Sequence, residues 1–230
     1  MDWLIGFYNY RIVAEYLPQF LSGLAMTLQV SATALAIALA FGTAIALARL
    51  SHRAWIARPV TGYVEAVRAT PLLIQLYLLY FTVPPLPGVG RITALEAGIL
   101  ALGFNNAAYF GEIIRAGLQS VARPQVEAAR ALAFSSWQSF RFVVLPQAIQ
   151  NVMAPLIGQT AMLLKDSSVV SFVGVIELTA AGAGLMNDRL LPNEGFLTVA
   201  MLYLAIYLIA LKLSDMADGK PSKARTERQW

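Results

Sequence analysis

Five long apolar stretches, separated by shorter polar segments, dominate the pattern along the chain. Each has about the 20 residues that an α-helix needs to cross roughly 30 Å of hydrocarbon. Because the lipid interior offers the backbone no hydrogen-bonding partners, such stretches must be helical. The pattern therefore predicts an all-α integral membrane protein with five transmembrane helices, at residues 21–47, 60–83, 93–114, 142–164 and 196–213.

Composition agrees with this prediction. Of the 230 residues, 58% are hydrophobic and 13% are charged, whereas soluble domains carry about 25% charged residues. The chain has no cysteine and a single histidine, His52, so a thiolate site is excluded and we expect no metal. The net charge of +4 does not indicate a nucleic-acid partner, because the basic residues flank apolar stretches and favour membrane lipid instead.

The basic residues also predict an orientation. They concentrate after the first stretch, between the third and fourth, and after the fifth. By the positive-inside rule the N-terminus is outside and the C-terminus inside. The inner set is Arg49, Arg53, Arg58, Arg115, Arg123, Arg130, Arg141, Lys212, Lys220, Lys223, Arg225 and Arg228, and the outer set is Arg11, Arg91 and Arg189.

This orientation divides the chain into a membrane domain, residues 21–214, and two ends. The turn at 84–88 is external, residues 116–141 form a cytoplasmic loop, and residues 215–230 form a cytoplasmic tail. Residues 1–20 mix apolar and polar positions and predict an external amphipathic segment at the membrane interface. The alternative is a short helix packed on its own bundle.

The cytoplasmic loop has the features of a helical docking surface. A helix is predicted to start at residues 123–127, because a proline in the first turn loses no hydrogen bond. Glu127 is expected early in this helix, where the macrodipole favours a carboxylate. The small helix-forming residues that would let a partner approach are Ala128, Ala129, Ala131 and Ala133.

Further along the loop, Ser135 or Ser136 is expected to cap a second short helix. Leu145 and Pro146 are expected at the entry to the fourth span. The alternative for the whole loop is an amphipathic connector that lies on the membrane surface.

Four motifs in order resemble permeases of bacterial ABC importers in the polar amino-acid uptake family. Residues 127–133 with Leu145-Pro146 resemble the EAA loop, and residues 67–75 resemble V-R-G-T-P-L-L-x-Q. Residues 105–115 resemble A-Y-x-x-E-x-x-R, and residues 165–170 resemble K-D-T-S-L-V, with Glu177-Leu178-Thr179 following as E-L-T. The resemblance covers residues 60–180.

Three positions depart from the family pattern, each where glycine is usual: Ala69, Pro124 and Ala133. Glycine at a helix end supplies the left-handed conformation. With alanine at position 133, we expect the loop helix to continue for a further turn or to end less sharply.

The resemblance implies a type I ABC-importer permease. Two such subunits, identical or related, would form the pathway for an amino acid, with two ATPase subunits beneath and an external solute-binding protein above. The resemblance also implies that the loop, through Glu127, Ala128, Ala129, Ala133, Leu145 and Pro146, engages the ATPase. The chain has no phosphate-binding G-x-x-x-x-G-K-[ST] loop, so we expect it to be no enzyme and to hold no cofactor, with ATP bound by the partner.

Charged residues inside spans are functional candidates by default. Glu65 and Arg68 are three residues apart, as are Glu112 and Arg115, so each pair shares one helix face. Both are expected to be structural ion pairs or residues that extend to the cytoplasmic interface.

The polar run Lys165, Asp166, Ser167 and Ser168 ends the fourth span. A helix break at depth is tolerated only in protein or at a cavity, and such breaks often supply ligand groups. These side chains suit a zwitterionic amino acid; alternatively, Lys165 and Asp166 neutralise each other and only shape a gate. Thr70 and Gln75, beside the helix-perturbing Pro71, are predicted to face the same cavity.

Two other functions remain open. A small channel or secondary transporter would work without ATP and would need no long docking loop. A membrane-embedded enzyme would need a nucleophile with its base, or metal ligands, within the spans, and a chain with no cysteine and one histidine offers little for either.

Overall fold

The computed structural model describes residues 7–83 and 90–218, with side chains through residue 212. Within this part of the chain the regular structure is helical and contains no strand, which confirms the predicted all-α class. The helices are α1 (Tyr10–Glu15), α2 (Leu17–Arg49), α3 (Ala54–Ala69), α4 (Leu72–Tyr77), α5 (Ala94–Gln119), α6 (Arg123–Ala131), α7 (Ser136–Ser139), α8 (Leu145–Asp166), α9 (Leu178–Arg189) and α10 (Pro192–Asp218). π-helical turns cover Leu78–Thr82 and Phe140–Val144, and a 3-10 helix covers Ser167–Val173.

Helices α2 and α5 pack along each other at the centre of the bundle. Helix α2 is apolar on all sides, as expected where one side faces lipid and the other faces protein. Its buried positions recur every three or four residues and include several small side chains, which allow α5 to approach closely. They are Phe20, Gly23, Thr27, Val30, Ser31, Ala34, Ala38, Gly42, Ile45 and Ala46.

Three helical stretches of the described chain are long and apolar enough to cross a membrane: Leu17–Arg49, Ser136–Val173 and Pro192–Lys212. The pair Ala54–Ala69 and Leu72–Thr82 adds a fourth if it is counted as one span. Helix α5, the third predicted span, is not among them, because its polar and charged side chains lower its mean hydropathy. The count of five spans therefore stays a prediction.

The second predicted span, residues 60–83, is bent at Pro71, the residue predicted to perturb it. Helices α3 and α4 meet at Pro71 and their axes differ by 110°. Pro71 has no backbone N–H, and its ring pushes the preceding residue out of the helical region. Thr70 accordingly has φ −118° and ψ 141°.

The fourth predicted span lies within a longer helical stretch. Residues Ser136–Val173 form one helical stretch of 38 residues, in which the α-helix breaks off after Asp166 and a 3-10 helix follows. Helix α8 ends at Asp166, where the polar run predicted an end, but the chain continues into the 3-10 helix instead of leaving the bundle. Helix α9 was not predicted, and its 12 residues are too short to span a membrane.

At its N-terminal end the chain packs on its own bundle, which was the alternative to an interfacial segment. The Tyr8 hydroxyl lies 2.8 Å from Thr198 Oγ1, and the Asn9 N–H donates to Glu194 Oε1 at 3.0 Å. Arg189 pairs with Glu15 at 3.0 Å.

Helix α10 continues to Asp218, so the first residues of the predicted tail are helical. Residues 1–6, the predicted external turn at 84–88 and the tail from 219 lie outside the described residues.

Candidate functional site

Helix α6 carries Glu127, Ala128 and Ala129, three of the six predicted docking residues. It starts at Arg123 with Pro124 in its first turn, as predicted. Glu127 is exposed, and its carboxylate makes no hydrogen bond or ion pair with any described residue. Glu127 lies beyond the first turn, which has no acidic residue, so the expectation that the macrodipole stabilises it is wrong. Ala128 is also exposed, whereas Ala129 is buried against the rest of the loop.

Helix α6 ends sharply, which corrects the expectation that it continues or ends loosely. The Phe134 N–H donates to the Ala129 carbonyl at 3.1 Å, and the Ala133 N–H donates to the Arg130 carbonyl at 2.9 Å. These two bonds form a Schellman motif, whose turning residue is left-handed. Ala133 adopts that conformation with φ 60°, although its Cβ disfavours it. The loop therefore keeps the geometry that glycine usually provides.

The second half of the loop carries exposed apolar side chains. Ser135 caps α7 in a capping box with Gln138, as predicted for one of the two serines. Leu132 is 73% exposed and Trp137 is 65% exposed. Pro146 lies in the first turn of α8, with Leu145 half-buried beside it. Exposed apolar groups next to an unpaired carboxylate are suited to contact with a protein partner, although they also fit the membrane-surface alternative.

The predicted ion pair between Glu112 and Arg115 is confirmed, with 2.9 Å between Arg115 Nη2 and Glu112 Oε2. Arg49, at the end of α2, pairs with the other oxygen of the same carboxylate. Glu112 therefore links the ends of the two central helices near the predicted cytoplasmic side. The side chains are about one-fifth to one-quarter exposed, so this cluster is only partly screened by water.

The predicted pair between Glu65 and Arg68 is not formed. The Arg68 guanidinium lies over the ring of Tyr109, 5.6 Å from its centroid. Glu65 is exposed and pairs with no basic side chain of the described chain. Three-residue spacing places two side chains on one face, but the aromatic ring on α5 competes for the cation.

The break at Pro71 places Thr70 and Gln75 together. Gln75 Nε2 lies 2.8 Å from Thr70 Oγ1, and it donates to the carbonyls of Val67 at 2.9 Å and Thr70 at 3.1 Å. Gln75 Oε1 accepts from Asn105 Nδ2 at 3.1 Å. The Gln75 amide therefore satisfies carbonyls that the missing helical turn leaves without partners.

The second break begins at Asp166. Ser167 is buried, and its hydroxyl donates to the Leu164 carbonyl at 2.7 Å. Lys165 and Asp166 form no ion pair, and Lys165 Nζ instead lies 5.5 Å from the centroid of the Tyr207 ring. Asp166 and Ser168 are half-buried, and neither side chain bonds to a described residue. Their carboxylate and hydroxyl are therefore available to a ligand.

The two breaks lie against each other. Helix α4 contacts the 3-10 helix, and Leu76 and Val170 belong to one buried cluster. Gly174, with φ 88°, ends the 3-10 helix in a left-handed conformation that favours glycine. The helices that follow the two breaks therefore pack against each other through apolar side chains, and a cavity shared by Thr70, Gln75 and the 165–168 run stays a prediction.

Residues 38–221 match the protein family described as the binding-protein-dependent transport system inner membrane component. The chain belongs to this family. It is therefore a multi-pass membrane permease, the membrane-embedded subunit of a transport system that depends on a binding protein.

Two relatives of the permease are similar over almost their whole length. It is 31% identical over 217 residues to the octopine transport system permease protein of Rhizobium meliloti, covering 90% of the permease and 89% of that relative. It is 32% identical over 203 residues to the glutamine transport system permease protein of Escherichia coli K12, covering 88% and 92%.

A crystal structure of an amino acid ABC transporter with histidines contains a chain of the same fold. The TM-score is 0.83 at 36% identity, and the likeness covers 89% of the permease and 95% of that chain. This shared fold confirms the predicted type I permease architecture. The side of the membrane on which each terminus lies stays a prediction.

Two features of the permease were not predicted from its sequence. Asn106, buried in α5, accepts from Gln159 Nε2 of α8 at 2.9 Å, beside the bond from Asn105 to Gln75. Glu177, noted only as part of a motif, is fully buried and caps α9. The sequence does carry a signal for the Asn106–Gln159 bond: two adjacent asparagines lie in an apolar stretch, where polar groups need hydrogen-bonding partners.

Proposed function

We propose that this permease is the pathway-forming subunit of an ATP-driven importer of polar or charged amino acids. The observation that carries the proposal is the exposed α6 helix, with a carboxylate at Glu127 that no described residue pairs and with Leu132 and Trp137 exposed further along the same loop. An external connector between spans needs no such surface. Its place between α5 and α8, among the basic residues of the inner side, favours a cytoplasmic ATPase as the partner.

In this proposal the chain crosses the membrane five times, with its N-terminus outside and its C-terminus inside. The bent pair α3 and α4 counts as one crossing, and α5 crosses inside the bundle, where protein shields its polar groups. A second permease subunit, identical or related, covers the remaining face. ATP binds to the ATPase partners, and the permease itself carries out no catalysis.

The substrate class follows from the two breaks and from the relatives. Asp166 offers a carboxylate to a substrate ammonium, while Lys165 and Ser168 provide donors near a substrate carboxylate. Ser167, whose hydroxyl is bonded to the Leu164 carbonyl, supports the shape of the segment instead. The octopine and glutamine permeases and the amino acid transporter support an amino-acid substrate. Thr70 and Gln75 lie on the opposite wall of the pathway. Because the Gln75 amide is already hydrogen-bonded within the protein, Gln75 stabilises the bend and does not bind the substrate directly.

Co-purification tests this proposal. The permease is extracted in mild detergent and the proteins that remain bound are identified by mass spectrometry. A bound ATPase with a phosphate-loop lysine, together with ATP-dependent amino-acid uptake in reconstituted vesicles, is the expected result. A permease that stays alone in every detergent, with uptake that proceeds without ATP, would overturn it in favour of a channel or a secondary transporter.

A further inference from the structure

Glu177 is a fully buried carboxylate that the proposed transport cycle does not use. Its exposed fraction is 0%, and no basic side chain of the described residues pairs with it. A buried charge is costly unless hydrogen bonds compensate for the lost water. The contacts of this group therefore indicate what it holds together.

Four donors from three helices surround the carboxylate. The N–H groups of Thr179 and Ala180, in the first turn of α9, donate to it at 2.9 Å each. The Tyr203 hydroxyl of α10 donates at 3.0 Å and the Thr27 hydroxyl of α2 at 3.3 Å. Charge-assisted bonds to a helix N-terminus are among the stronger hydrogen bonds in proteins. Glu177 thus joins α2, α9 and α10 at one point.

The backbone of α2 comes close to the same point. Thr27 Oγ1 accepts from the Leu178 N–H at 3.1 Å while it donates to Glu177. A Cβ at Gly23 would lie 2.9 Å from the Glu177 carbonyl oxygen, which is closer than side chains tolerate. The absence of a side chain at Gly23 therefore allows α2 to reach this junction.

The junction lies at one end of the segment that contains the 3-10 helix. At the other end, Lys165 lies over the Tyr207 ring, one helical turn after Tyr203 on α10. Helix α10 thus contacts both ends of the segment 165–177. Between them, Val170 is buried and packs against Gly98 of α5.

We propose that Glu177 is a positioning residue that fixes the far end of segment 165–177, so that Asp166 and Ser168 stay at the second break. Loss of its carboxylate releases the segment from α2 and α10 while the rest of the bundle stays folded. The consequence for transport rests on the function proposed above, whereas the local release does not.

Cysteine labelling tests this proposal, because the chain contains no cysteine. Val170→Cys reports on the segment, and Val64→Cys reports on the core of the bundle; both valines are 1% exposed. Each reporter is combined with Glu177→Gln, Thr27→Val or Thr27→Ser in the full chain. The rate of reaction with a membrane-permeant maleimide is measured in native membranes.

We expect Glu177→Gln and Thr27→Val to raise the labelling rate at position 170 by about tenfold, which corresponds to the loss of one buried charge-assisted bond. The rate at position 64 is expected to stay unchanged. Thr27→Ser keeps the hydroxyl and is expected to label at position 170 at the parent rate. The two Thr27 variants supply the test if Glu177→Gln does not accumulate in the membrane.

Three results would overturn the proposal. They are an unchanged rate at position 170 in both Glu177→Gln and Thr27→Val, an equal rise at position 64, or a Thr27→Ser chain that behaves like Thr27→Val. Because labelling needs neither ATP nor substrate, failure of the importer proposal would appear in the co-purification experiment and leave this measurement interpretable.

Discussion

Asn105 donates a hydrogen bond at 3.1 Å to Gln75, which connects the buried centre of α5 to the break at Pro71. The opposite end of the same amide satisfies carbonyls of Val67 and Thr70. One side chain thus stabilises both sides of a 110° bend. A bend of this size inside a membrane protein requires such compensation, since its open carbonyls have no water to bind.

Replacing Gln75 with Leu is therefore expected to destabilise the permease by about 1–3 kcal/mol, because the carbonyls of Val67 and Thr70 and the amide of Asn105 lose their partner. The measurement is thermal unfolding in detergent. Gln147→Leu is the control, since Gln147 makes a single bond to Val143 within its own helical stretch. Equal stability of the two variants would show that Gln75 does not support the bend.

Charge reversal at Glu127 is expected to abolish ATP-driven uptake while the permease remains in the membrane. A like-charge contact at an interface costs several kcal/mol. Gln125→Lys is the matched control, because Gln125 is also exposed on α6 but points away from the Glu127 side. Uptake is measured in vesicles together with the amount of bound ATPase. Near-normal transport by Glu127→Lys would remove this residue from the docking surface.

Asp166→Ala is expected to raise the KM for amino-acid uptake by roughly ten- to a hundredfold, the loss expected for a charge-assisted hydrogen bond. Bound ATPase should be retained. Glu65→Ala is the control, since Glu65 is an exposed carboxylate in a predicted span that has no basic partner among the described residues. Unchanged uptake kinetics in Asp166→Ala would exclude this carboxylate from the pathway.

Ala133→Gly is expected to stabilise the docking loop by about 0.5–1 kcal/mol, because glycine adopts a left-handed conformation without steric cost. Ala131→Gly, within α6, should destabilise the loop by about 1 kcal/mol. Amide hydrogen exchange of residues 123–139 measures both effects locally. Faster exchange in Ala133→Gly than in the parent would contradict the strained conformation at φ 60°.

Glu112→Gln is expected to destabilise the permease by about 1–3 kcal/mol, since Arg49 and Arg115 would both lose a partly buried carboxylate. Glu15→Gln disrupts the pair with Arg189, whose side chains are about half exposed, and should change stability by less than about 0.5 kcal/mol. Denaturant unfolding in detergent compares the two. A larger loss of stability in Glu15→Gln than in Glu112→Gln would show that the Glu112 ion pairs are not the stronger ones.

Sequence patterns predict those features that depend on local chemistry. Three such features are confirmed, each set by residues close together in the sequence. They are the start of α6 at Arg123, the cap at Ser135 and the ion pair between Glu112 and Arg115. Proline also predicted a perturbation of the helix at Pro71, but not the 110° size of the bend, because the apolar character continues across it.

Features that depend on distant residues were not predictable in this way. Arg68 lies on Tyr109 instead of pairing with Glu65, and two of the four donors to Glu177 come from helices 150 and 26 residues away along the chain. The left-handed Ala133 was missed for another reason: the Schellman bonds outweigh the conformational preference of one residue.

The helical stretch from Ser136 to Val173 has a mechanical consequence. At 1.5 Å per residue it forms a rod roughly 55 Å long that carries the rear of the docking loop at one end and the Asp166 segment at the other. In the proposed docking role, an axial push on the loop would reach the second break along this one helical stretch, without crossing an interface between subunits. We expect this stretch to bend at two positions: the π-helical turn at Phe140–Val144, whose hydrogen-bonding register differs from that of the flanking turns, and Pro155, which lacks the N–H of a helical bond.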